Sequence, residues 1–276
     1  MNDDKRVSDL LDDFQRHGLY GFDRSKVETA LPASTAAVGK ALKRLAEKGR
    51  VRRIRKGFHA IVPVEYATQG IPPSDWYIAD LMRSLDLPYY IGLLSAAALH
   101  GAAHQQVQQL QIVVPRQERP LGLPGLSIRF FRKQDFATTP LQSRKGHSGM
   151  LPVSTPEATA FDLIRYSRYL GGLDAVMTVL SELAESIDPA KLAAASASES
   201  ETAQIQRLGW LLDHLGQTTL ADALHAALPT SKPLPRAALD PGAPRTGSIT
   251  GNRWRILENA QPEADLLTAK LIPQIS

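Results

Sequence analysis

The sequence predicts an α+β protein in two parts: a small helical module closed by a basic hairpin, then a larger mixed α/β body with a helical C-terminal part. Three observations predict this. Apolar residues recur at helical spacing over the first 48 positions and are followed by two short β-prone arms. Residues 89–153 carry brief apolar runs bounded by Gly and Pro, as strands do. Residues 154–228 then return to helical periodicity.

The length of 276 residues accommodates about two ordinary domains. Apolar residues at 43% and charged residues at 22% fit a globular chain, and the absence of Cys excludes disulfides, thiolate metal sites and cysteine nucleophiles. Net charge is only +4, yet the sequence pI is 9.3. Its distribution matters more than its total. Residues 24–56 hold eleven Lys or Arg against Glu28 and Glu47, a local +9, which leaves −5 for the remainder. Such asymmetry points to a nucleic-acid partner, with a solvated Lys/Arg face as the plainer alternative. The first residues carry no apolar core behind a basic cluster, and the run from Tyr89 to Leu99 is too short for a bilayer span, so a soluble, cytoplasmic protein without membrane partners is expected.

Along the chain, Val7, Leu10, Leu11 and Phe14 predict a helix over residues 6–17, stopped at His17-Gly18. Asp23 can cap a short helix over 24–31, with Val27, Ala30 and Leu31 inward and Pro32 blocking its extension. Ser34 can cap a third helix running to about Lys48, with Val38, Ala41, Leu42 and Leu45 as its buried stripe. Its other face is small and polar at the start and basic further on. Residues 51–62 read as a hairpin about Arg55-Lys56-Gly57. Helix, helix, turn, helix and basic hairpin is the layout of a winged helix-turn-helix. Its second motif helix enters the major groove of duplex DNA while Lys and Arg hold phosphates. Ser34, Thr35, Ala37, Lys40 and Arg44 are the expected groove contacts, with Lys43, Arg53, Arg55 and Lys56 on phosphates. A winged helix that docks protein is the alternative.

Gly70-Ile71-Pro72-Pro73 is the expected boundary between a 1–70 DNA-binding domain and a 74–276 body. In the body, Ser74 caps a helix to Leu85, Tyr89–Gly92 reads as a strand, and Ser95–His100 as a short helix. Leu110–Val114, Leu126–Phe131 and Met150–Val153 read as further strands. Ser154-Thr155-Pro156-Glu157 has capping-box spacing and opens a helix. Helices continue to Leu228, the Pro-rich segment 229–244 excludes regular structure, and Arg253–Leu257 reads as a late strand returning to the core. Residues 116–145 hold seven basic residues against Glu118 and Asp135, so Arg129, Arg132, Lys133, Arg144 and Lys145 are expected as secondary phosphate contacts.

Tests for chemistry return little. His100 and His104 have zinc spacing, but Gly101 ends the helix between them and no third ligand is near. Glu157 is accounted for by the helix cap, and Asp162 sits one turn on. Phosphate-binding loops and Asp-x-Asp pairs are missing from the sequence. The expectation is a protein with no catalytic residues, no metal and no cofactor.

The segments Tyr89-Tyr90-Ile91-Gly92, Ser95-Ala96, Leu99-His100-Gly101, Gln111–Val114, Thr155–Leu163 and Asn252-Arg253-Trp254 together resemble the AbiEi antitoxin family of abortive-infection toxin-antitoxin pairs. The resemblance implies a transcriptional repressor whose winged helix binds inverted repeats in its own promoter. It also implies a larger domain like a nucleotidyltransferase without an active site, and a nucleotidyltransferase-type toxin countered without a stable complex. A monomer in solution, paired on its operator, is expected. A solitary chromosomal regulator and a nucleotidyltransferase-like enzyme acting on nucleic acid are the rival readings.

Overall fold

The computed structural model describes residues 3–102, 109–228, 233–245 and 251–265; His104, Pro229 and Gly247-Ser248 lie outside them. The chain is mixed α/β and divides into two compact units. One comprises Met1–Tyr90, Ile112–Arg132 and Ser143–Pro152, the other Ile91–Gln111, Lys133–Gln142 and Val153–Ser276.

The first unit opens with α1 (Asp3–Arg16), β1 (Gly21–Asp23), α2 (Arg24–Ala30), α3 (Thr35–Glu47), β2 (Val51–Arg55) and β3 (Phe58–Ile61). The apolar stripe read from the sequence is the core: Val7 and Leu11 of α1, Val27 of α2, and Val38, Ala41, Leu42 and Leu45 of α3 bury against Phe22, Val51 and Ile61. Each of these side chains other than that of Ala41 contributes roughly 1.5–3 kcal/mol. Ser34 caps α3 as its type requires, its hydroxyl accepting from the Ala37 amide at 3.2 Å. Ala30 differs from expectation and is exposed, because α2 is too short to bury more than one position.

The hairpin is part of a three-stranded antiparallel sheet ordered β1-β3-β2, and its third strand carries no sequence signal. Strand β1 is three residues long and finds its ladder partner about 37 positions on, Phe22 opposite His59. It is then clasped by α4 (Ile78–Ser84). The Gly21 amide donates to Asp80 at 3.3 Å and the Ser84 hydroxyl to Asp23 at 2.5 Å. A Cβ on Gly21 would lie 2.7 Å from the Phe58 ring. Asp23 begins α2 without making the side-chain cap the sequence suggested, since its carboxylate is turned to Ser84. The Gly70–Pro73 stretch accordingly lies inside the first unit. Ser74 heads only a 3-10 turn, and α4 starts after the fully buried Tyr77, whose backbone is outside helical geometry at φ −134.

The body continues with β4 (Tyr90–Ile91), α5 (Leu93–Leu99), β5 (Leu110–Val114), β6 (Leu121–Leu123), β7 (Leu126–Arg132), β8 (Leu141–Gly146), β9 (Gly149–Ser154) and α6 (Pro156–Arg165). A six-stranded sheet is ordered β6-β7-β5-β4-β9-β8. Strands β4 and β9 pair in parallel, Ile91 with Val153. The sequence reading missed β6 and β8, the two edge strands, because an edge carries little apolar alternation; β8 is Leu-Gln-Ser-Arg-Lys-Gly. At the first position of α5, Leu93 sits at φ +53, a conformation costing on the order of 1–3 kcal/mol. Buried Gln111 holds it, its side-chain oxygen accepting from the Leu94 amide at 2.8 Å and its carbonyl from Gly92 at 3.1 Å.

In the second unit α6 is followed by α7 (Leu173–Leu183), α8 (Pro189–Ser196), α9 (Thr202–His214) and α10 (Thr218–Ala226). Two corrections arise at α6. Its cap is Thr155, which accepts from the Ala158 amide at 3.3 Å, not Ser154. Buried Glu157 does not fold back as a capping-box acceptor but receives the Asp188 amide at the start of α8, at 3.1 Å. A further correction concerns the C-terminal segment, which is not wholly irregular, since β10 (Ala237–Ala238) pairs in parallel with β11 (Ile256–Leu257). The late strand is present as β11, with Ile256 and the preceding Trp254 fully buried. Gln206 of α9 fastens both ends, its amide donating to the Pro235 and Trp254 carbonyls at 2.7 and 2.6 Å.

Candidate nucleic-acid interface

A helix turns its side chains through about 100° per residue, so burying Val38, Ala41, Leu42 and Leu45 forces Ala36, Lys40, Lys43 and Glu47 of α3 outward. Lys40 and Lys43 are exposed, as are Ser34 and Thr35 at the start of the helix, while Ala37 is half-buried. The hairpin adds a second row. Its register shifts between Arg53 and Arg55, so Ile54 points into the core while Arg53 stays exposed. Lys56 stands exposed at the turn, whose left-handed position at φ +85 is filled by Gly57. The Gly57 carbonyl accepts from the Arg24 amide at 2.8 Å, which ties the hairpin tip to the start of α2.

Not every basic residue on this side is uncommitted. Arg44 donates to both oxygens of Asp4 on α1, at 3.0 and 3.2 Å. Arg55 lies 3.6 Å from Glu118, and Lys43 approaches Glu47 at 4.0 Å. Lys40, Arg53 and Lys56 have no ion-pair partner among the described residues. The sequence-read set is thus brought to one module, but Arg44 and Arg55 reach it already paired with acids that no local pattern announces.

Two residues were missed. Arg24 donates to Glu28 at 2.7 Å and to the Thr35 carbonyl at 2.5 Å, across α3 at the one position, Gly39, that lacks a side chain to block it. His59 lies on β3, ring-stacked on Phe22 with centroids 5.6 Å apart. Burial pushes its imidazole down to about 4, and the Arg53 and Arg24 guanidiniums add to the shift. Nδ1 is enclosed without a hydrogen-bond partner. Arg24, Gly39, Lys43, Arg53, Lys56 and His59 line a cavity of about 830 Å³ between α2, α3 and the hairpin. Arg24 was visible only as a charge, and His59 as one more residue of a short strand.

The second basic region fares differently. Arg132, Arg144 and Lys145 are exposed and half-buried Arg129 lies over the Phe131 ring at 5.3 Å. Lys133 is a correction: its side chain is 1% exposed, with Asp162 at 2.9 Å and Glu199 at 3.1 Å, so it cannot reach a phosphate. Burial alone would lower its pKa, but the two carboxylates outweigh burial and raise it. Asp162, which the sequence left as an ordinary helix residue, is fully buried in this pair. Arg165 extends the group, contacting Glu199 at 2.5 Å and Glu201 at 3.3 Å.

His100 is hydrogen-bonded within the fold, with Nε2 at 2.8 Å from the Ser154 carbonyl and Nδ1 at 3.4 Å from Gln142. Among the described residues no group of three or more His, Asp or Glu is placed to hold a metal ion. No helix among them is long and apolar enough to cross a membrane.

Comparison with known proteins places part of this architecture. Residues 90–214 match the family model described as the AbiEi antitoxin C-terminal domain. Among solved structures, the RV2827C protein from Mycobacterium tuberculosis is 17% identical with a TM-score of 0.64, covering 91% of this chain and 90% of its own. An antigenic nucleotidyltransferase-like protein from Paracoccidioides brasiliensis is 14% identical with a TM-score of 0.37, covering 54% of this chain and 89% of its own. No curated protein matches the chain.

Proposed function

We propose that this chain, whose residues 90–214 match the AbiEi antitoxin C-terminal domain, is an antitoxin that also represses its own operon by binding promoter inverted repeats in duplex DNA. In this reading residues 1–70 act as a winged helix-turn-helix domain, with α3 in the major groove and the β2–β3 hairpin against the neighbouring backbone. The observation that carries it is the cluster of exposed Lys40, Lys43, Arg53 and Lys56 on α3 and the hairpin, beside the small residues Thr35 and Ala37 at the helix start. Lysines and arginines held there supply affinity through phosphates, and the start of α3 supplies base choice. Exposed Arg132, Arg144 and Lys145 are a second set of phosphate contacts in the same reading, with Arg129 beside them.

The partner on the toxin side is a nucleotidyltransferase-type protein from the same operon, restrained without a stable complex, and the antitoxin itself is not an enzyme. Fluorescence anisotropy with duplex from its own upstream region tests the DNA half. Affinity falls with salt by about 0.9 log units per neutralised phosphate per decade. Lys40→Ala with Lys43→Ala weakens binding about tenfold or more and lowers the salt slope by about 2. Unchanged binding in the double variant removes α3 as the recognition helix. Co-expression with the adjacent toxin gene tests the other half, and incubation with labelled nucleotides and Mg²⁺ is expected to show no transfer.

A further inference from the structure

The cavity between α2, α3 and the hairpin has a chemistry of its own. Its cations come from three elements: Arg24 from α2, Lys43 from α3, and Arg53 and Lys56 from the hairpin. Two acids also line it, and both are occupied. Glu28 is paired with Arg24 at 2.7 Å, and Asp23 accepts the Ser84 hydroxyl at 2.5 Å. Arg53 and Lys56 are left without an ion-pair partner among the described residues. Arg24 is held in place by its bonds to Glu28 and the Thr35 carbonyl, so that wall is preorganised. His59 forms part of the lining, 9% exposed and with neither ring nitrogen bonded to a described residue. Because Nδ1 is enclosed, Nε2 is the nitrogen through which this ring meets the cavity. The volume of about 830 Å³ exceeds what one carboxylate needs and suits a phosphate with the group esterified to it.

We propose that this cavity is a binding site for a phosphate ester, with Arg53 and Lys56 on the phosphate oxygens, Arg24 as the fixed cationic wall and the imidazole of His59 as a further hydrogen-bonding group. Arg gives two parallel donors to phosphate oxygens and Lys a point charge, which together favour phosphate over a singly charged carboxylate. Two sources share this chemistry: the backbone phosphate of bound duplex, and a free phosphorylated small molecule such as a nucleoside monophosphate. Only the first rests on the DNA-binding reading. A free ligand seated here would occupy the space between α3 and the hairpin and so compete with duplex. Either source places negative charge beside Arg53 and Arg24, with Lys43 and Lys56 on the other walls and Asp23 and Glu28 as the acids that line it. Burial, which does most to lower the His59 pKa, remains, but the part contributed by Arg53 and Arg24 is offset, so the ring takes up a proton more readily when the site is filled.

Histidine ring signals of the full-length protein, followed by NMR during titration with inorganic phosphate, AMP or a short duplex from its upstream region, test the site. Anisotropy with labelled duplex runs in parallel. The expected result is a saturable shift of the His59 signals with AMP or duplex, with affinity weakened about tenfold in the Arg53→Gln, Lys56→Gln double variant. A shift with AMP that duplex reverses identifies a free phosphate ester as the occupant. A shift with duplex alone, lost in the double variant, identifies the DNA backbone. If neither AMP nor duplex moves His59 while anisotropy still reports duplex binding, the site is overturned and the DNA-binding reading stands. If duplex does not bind but AMP moves His59, the site stands and that reading fails. Saturable binding unaffected by the double variant also overturns the proposal.

Discussion

Single residues in this chain are constrained by what presses on them. Gly209 on α9 faces the fully buried Trp254 ring, and a Cβ there would lie within 2.2 Å of it. Nothing flexible can yield, because the indole nitrogen donates to Asp213 at 2.7 Å and the neighbouring Arg253 grips Asp213 and Asp222. Gly209→Ala is expected to lower unfolding free energy by about 3 kcal/mol in urea melts. Gly122→Ala, where a Cβ meets nothing within 4 Å, is the control and should stay within about 0.5 kcal/mol. His59 sets a different constraint. Its folded pKa of about 4 lies below the ordinary 6.5, so between these values the unfolded chain binds the extra proton. Stability from this residue is therefore complete above pH 6.5 and is lost as pH falls towards 4, by about 3 kcal/mol. Thermal melts across that window should show a shallower decline for His59→Phe than for the wild-type protein.

At the scale of elements, α3 shows what periodicity can and cannot say. Its limits, its Ser34 cap and its buried stripe were all legible, because each follows from interactions within four residues along the helix. Arg44 was equally legible as a basic residue, but its pairing with Asp4, forty positions away, was not. The same holds for α6. Its start near Pro156 could be read, whereas the partners of its two buried acids could not: Glu157 takes the Asp188 amide and Asp162 takes Lys133. Removing one partner of a buried ion pair strands the other charge. Asp162→Asn should cost about 2 kcal/mol in chemical denaturation, since Glu199 still partners Lys133, and an Asp162→Leu, Lys133→Met double variant should recover part of the loss, with Glu199 then held by Arg165. Full additivity of the two single substitutions would show that the pair is not coupled.

For the whole molecule, the sequence predicted a DNA-binding domain ending at residue 70, while the first compact unit runs on to residue 90 and gathers two later segments. The link is β1, whose Gly21 and Asp23 are bonded by Asp80 and Ser84 of α4. A fragment of residues 1–70 lacks those partners and is expected to melt at lower temperature than the full chain and to bind duplex more weakly. Equal behaviour would mean that the helices and hairpin stand alone. Local signals by themselves determined the mixed α/β class, the three N-terminal helices, the hairpin and the concentration of positive charge, because helix periodicity, caps and turns are set by neighbours in sequence. Tertiary structure alone decided which cations remain available to a partner. It paired Arg44, Arg55 and Lys133 with distant acids, buried Lys133 outright, and set His59 and Arg24 into one cavity. Charge is written in the sequence; its neutralisation depends on which residues the fold brings within a few ångströms, and pairings across tens of residues leave no local trace.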